Sequence, residues 1–132
     1  MLTLPAIVEK ATPEQLASLR EKLAGMDQLM AAGDIEALSP LTRAFHTEFT
    51  SICGQKRILR VIESQDEYIR RFSAMAIRQE ARLDEAHQEH YRMVELVEEK
   101  DLPALQQLML HHIECSKQNC LAALASQQKQ LL

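Results

Sequence analysis

The chain has 132 residues, 46% apolar but only 4% aromatic, with three glycines, four prolines and no tryptophan. That is enough to bury one core, and its Leu-, Ala-, Ile-, Val- and Met-rich mix favours helix over strand. A net charge of −4, with basic residues in isolated pairs such as Lys56-Arg57 and Arg70-Arg71, excludes the positive face that nucleic-acid contact needs.

No apolar run of about 18 residues exists to span a membrane. No basic segment followed by an apolar core marks a signal peptide. Cys53, Cys115 and Cys120 are odd in number and form no C-x-x-C, which suggests reduced thiols in a cytoplasmic protein.

Residues 1–11 carry Leu2, Leu4, Ile7 and Val8 around Pro5, a segment too short to hold a helix alone and expected to dock on the bundle or on a partner. Thr12-Pro13-Glu14-Gln15 gives a capping box with proline at the first helical position. Leu16, Leu19, Leu23, Met26 and Met30 follow as an amphipathic stripe, ended by Gly33. Asp34 to Leu38 reads as a connector or single turn. Ser39-Pro40 then repeats the start signal and launches a helix bearing Leu41, Phe45, Phe49 and Ile52, ended by Gly54.

A helix over about Lys56–Met75 is expected to turn Ile58, Val61, Ile62, Ile69 and Phe72 inward, with Gln65 and Arg70-Arg71 interrupting the stripe. Ala76 to Arg82 reads as a link or a frayed turn. Leu83, Ala86, His90, Met93 and Val97 mark the next helix. Asp101 caps the last, whose inner face is Leu105, Leu108, Met109, His112, Cys115 and Ser116. The whole reads as a single all-α domain. It is an antiparallel bundle of about five to six helices over 12–127, with a docking segment at 1–11 and a frayed tail at 128–132.

His46, His90 and His112 each lie within or beside the apolar stripe of a different helix. A lone histidine on such a face is more often a satisfied core residue than a ligand; three on three helices favour a built site. Neutral imidazoles bind zinc, nickel, iron or manganese without distinguishing among them, and three leave positions open. A divalent ion with only neutral ligands keeps its charge, which favours an anionic guest. His87 and His111 fall off the stripes and read as surface or rim residues.

Leu41-x-x-x-Phe45-His46, Gly54-Gln55, Arg70-Arg71-Phe72, Glu89-His90, Lys100-Asp101, Ala104 and Met109-Leu-His-His112-Ile113 form an ordered set, with His112 following His90 by 22 residues. Over about residues 12–125 this set resembles the C-terminal effector-binding domain of FadR-type regulators in the GntR family, the FCD domain. The resemblance implies an all-α bundle that senses a small organic acid, in several members over a divalent metal. Carried over, the three metal-binding histidines match His46, His90 and His112. The Asp or Asn that those members place four residues before the first histidine is Thr42 here, and the usual Asn after the glycine is Gln55. The winged helix-turn-helix that precedes this domain in the family is not found in these residues, so no DNA contact is expected from them.

The expected function is therefore an effector-sensing regulatory domain, not an enzyme, acting as a homodimer. Thr42, Gln65, Arg70, Arg71 and Ser116 are the candidate ligand-binding groups; an arginine would grip a carboxylate in a bidentate fork. Two other readings stand beside it. One is a helical dimerisation module without a small-molecule site. The other is a helical-bundle metalloenzyme, disfavoured because no Glu-x-x-His pair is present and Asp84-x-x-His87 is the nearest approach.

Overall fold

The computed structural model describes residues 3–65, 71 and 80–131. Among these every regular element is a helix: α1 (Leu4–Lys10), α2 (Pro13–Ala32), α3 (Ile35–Ser51), α4 (Lys56–Ser64), α5 (Glu80–Glu99) and α6 (Leu102–Leu131). The all-α bundle expected from composition is the observed fold. No described helix is long and apolar enough to cross a membrane.

The capping box forms as the sequence dictates. The Gln15 amide donates to Thr12 Oγ1 at 3.2 Å, and the Thr12 amide donates to Gln15 Oε1 at 2.9 Å. Gly33 ends α2 at φ 71, and the Asp34 amide closes on the Leu29 carbonyl at 2.9 Å. A lysine takes the corresponding left-handed place after α5: Lys100 has φ 58, and the Asp101 amide returns to the Leu96 carbonyl at 3.0 Å. Asp101 then caps α6 by accepting from the Ala104 amide at 3.1 Å.

The start of α3 differs from expectation. Asp34 accepts from the Ala37 amide at 3.2 Å and nucleates the helix at Ile35, so the supposed connector is its first turn and Pro40 lies inside it. Asp34 stands directly after the Gly33 stop. Its cap engages before the Ser39-Pro40 signal can, and the helix runs through the proline.

Short links fold α2 back on α3, and α5 back on α6, while α2 also packs on α5. α1 packs on α5 and α6, with Leu4 and Ile7 fully buried. The Lys10 ammonium fixes its far end by donating to the Cys53 carbonyl at 3.1 Å. The core includes the predicted Leu16, Leu19, Leu23, Met26, Phe45, Phe49, Met93, Val97 and Leu105, joined by Leu38, Val94 and Leu96. Each large aliphatic side chain so buried contributes about 1.5–3 kcal/mol.

Further expectations differ. Val61 is exposed rather than inward, because α4 makes no extensive packing with another described helix. Of the link or frayed turn expected over 76–82, Arg82 lies within the described helix α5, and 76–79 lie outside the described residues. The segment expected to fray is helical through Leu131. The side chain of Ile62, and all of Ile69, Arg70, Phe72 and Met75, lie outside the described residues.

Candidate metal centre

α3 meets α5 and α6 through aromatic rings. Phe45, fully buried on α3, lies edge-on to its neighbour His46 at 5.5 Å and tilted against His90 of α5 at 5.1 Å. The imidazoles of His46 and His90 are 4.7 Å apart between centroids, those of His90 and His112 4.9 Å, and those of His46 and His112 5.7 Å. One potential ligand atom from each lies within 4.8 Å of the other two. Among the described residues these are the only three metal-capable side chains so gathered.

Electrostatics keep the rings neutral. Burial, helped by the charge of His112, brings His46 down to about 4. Burial first, then the neighbouring His46 and His112, holds His90 well below its ordinary value. Burial also lowers His112, against a hydrogen bond to Glu89 that works to raise it. Each ring therefore keeps a lone pair for a ligand bond at neutral pH.

His90 carries the sharpest signal. It is 4% exposed, and neither ring nitrogen has a hydrogen-bond partner. A buried imidazole normally satisfies at least one nitrogen, and an orphan costs about 1–3 kcal/mol. A cation held by the cluster satisfies it. The residues present thus fit a divalent metal with three neutral nitrogen donors.

His112 is anchored from behind. Its Nδ1 lies 2.7 Å from Glu89 Oε1. The same carboxylate is gripped by both terminal nitrogens of Arg82, Nη1 reaching Oε2 at 3.0 Å, while His111 Nε2 approaches Oε2 at 3.3 Å. Burial works to raise the Glu89 carboxyl, but the hydrogen bonds from Arg82 and His112 outweigh it and hold the group below its usual value. Sequence reading missed Glu89 and Arg82 as working residues. Their seven-residue spacing on one helix, two turns apart, was the available signal.

Of the candidate ligand-binding residues, Thr42 is half-buried, and its hydroxyl donates to the Leu38 carbonyl at 3.0 Å. Ser116 is half-buried one turn beyond His112. Gln65, just past α4, and Arg71 are exposed, and Arg70 lies outside the described residues. An open groove along α3, lined by Pro40, Thr47 and Glu48 among others, involves none of the three histidines. His111 is a rim residue, as expected. His87 is not: it is buried, and its Nε2 lies 2.5 Å from Asp27 Oδ1 on α2.

The FCD domain family model matches residues 2–114, most of the chain and all three histidines. No curated protein and no solved structure is significantly similar to the chain. With the helical fold, the converging histidines and this match together, the chain belongs to the FCD domain family, the regulatory effector-binding domain of GntR-type regulators.

Proposed function

We propose that this domain senses a small organic acid bound over a divalent transition metal held by His46, His90 and His112. The observation that carries the reading is the buried, unpartnered imidazole of His90 between two other neutral imidazoles. The metal would supply a Lewis-acidic centre with open positions. Since its ligands are neutral, its charge favours a carboxylate guest. Thr42 is not counted among the ligands, because a hydroxyl that donates to a backbone carbonyl is a weak donor to a metal.

The rings lie against one another, so a guest enters by moving side chains or parting α3 from α5 and α6. That displacement links binding to helix position, and a ligand shifts such an equilibrium only by its differential affinity for the two arrangements. Thr42 and Ser116 are the proposed inner polar lining, with Gln65, Arg70 and Arg71 as outer candidates. A homodimer is part of the same reading, with the exposed Leu110, Ile113 and Leu121 of α6 as a candidate face. So is a cytoplasmic setting, suited to reduced thiols.

The test is metal content by plasma mass spectrometry on protein purified without chelator, beside His46→Ala, His90→Ala and His112→Ala. About one equivalent of a transition metal, lost in each variant, is expected. An apo wild type that stays empty after incubation with zinc, nickel, manganese and iron salts sinks the metal reading. A thermal-shift screen of organic acids then separates a metal-free sensor from a bare dimerisation module.

A further inference from the structure

We infer that Glu89, clamped by Arg82, is a positioning residue that fixes the tautomer of His112 and thereby sets the affinity of the three-histidine centre. The inference rests on the metal reading above for its effect, but its geometry stands alone. An ionised carboxylate only accepts hydrogen bonds, so the His112 ring nitrogen facing it must carry the proton. With Nδ1 protonated and donating to Glu89 Oε1 at 2.7 Å, Nε2 becomes the one lone pair that His112 can offer.

Both carboxylate oxygens are already occupied. Oε1 accepts from His112 and Arg82; Oε2 accepts from Arg82 and faces His111 at 3.3 Å. Glu89 therefore serves behind the ligand rather than as a fourth ligand. Arg82 and Glu89 are nearly buried, with side chains 11% and 12% exposed, so the pair is held in one geometry. The carboxylate absent at Thr42 is not replaced by Glu89, and the centre stays one of three neutral donors.

Histidine ring nitrogens of the apo protein, read by long-range proton–nitrogen NMR, test the first half without metal. His112 is expected as the Nδ1–H tautomer in wild type and as a mixture, or Nε2–H, in Glu89→Ala. The second half is the affinity for zinc by chelator competition and the visible spectrum of the cobalt-loaded protein. Loss of about 10–100-fold in affinity is expected for Glu89→Ala, with a changed cobalt spectrum. Glu89→Gln, which retains an acceptor oxygen but not the charge, should fall between, and its near-native size guards against misfolding. An Nε2–H tautomer in wild type overturns the inference, as does an unchanged affinity in a folded Glu89→Ala. If wild type binds no metal at all, the functional reading fails, and the tautomer alone decides for or against Glu89.

Discussion

His87 of α5 and Asp27 of α2 meet at 2.5 Å, and the same carboxylate accepts from the Tyr91 hydroxyl one turn further along α5. Burial takes the His87 ring out of water, and Asp27, itself half in solvent, supplies its partner. The strap ties α2 to α5 about one turn from His90 and the three-histidine cluster.

Removing its acceptor should show which side holds the strap. Asp27→Ala leaves a buried ring nitrogen without a partner and is expected to cost about 1–3 kcal/mol; Tyr91→Phe, closer to water, about 0.5–1. Urea unfolding of the two variants checks the order. A Tyr91→Phe loss equal to or greater than that of Asp27→Ala would show that burial of His87 is not the reason for the strap.

The neutral rings give the apo protein a pH dependence of definite sign. His46 titrates near 4 when folded against 6.5 as an ordinary group, so between these values the unfolded chain binds the extra proton. Stability is full above 6.5, falls as the pH drops from 6.5 toward 4, and levels off below. For His46 alone the loss is about 3 kcal/mol. His90, lowered in the same direction by burial, adds to it. Urea unfolding of EDTA-treated protein between pH 7.5 and 4.5 should show this decline, and a shallower one in His46→Gln would assign that residue's share.

Pro40 within α3 removes a backbone donor and presses its ring on the preceding turn. Pro40→Ala is expected to stabilise the domain by about 1–2 kcal/mol, less than the full helix penalty because proline also restrains the unfolded chain. Thermal unfolding at neutral pH checks it. A lower melting temperature would mean that the bend at Pro40 is needed to seat Phe45 and His46.

What was legible in the sequence was whatever one helix decides by itself. Leu16, Leu19, Leu23 and Met26 are buried because their spacing leaves no other face for them, and His46, His90 and His112 converge because each rides such a face. What was hidden depends on two helices at once. His87 lies off its own stripe yet is covered by α2, and periodicity within α5 does not report where α2 passes. Glu89 acts on a histidine of another helix, 23 residues away. At α3 two valid start signals compete, and the choice of Asp34 follows from how tightly Gly33 turns, which residue types alone do not rank.

α5 has 20 residues and α6, which turns back along it, has 30. At 1.5 Å per residue, Leu131 lies about 28 Å beyond His112 along α6. Pivoted at His112, α6 acts as a lever. A tilt of about 5° at His112 moves Leu131 by roughly 2.5 Å, several times the displacement among the rings themselves. On the proposed reading, a guest that shifts the rings only slightly would produce its largest movement at the Leu131 end of α6.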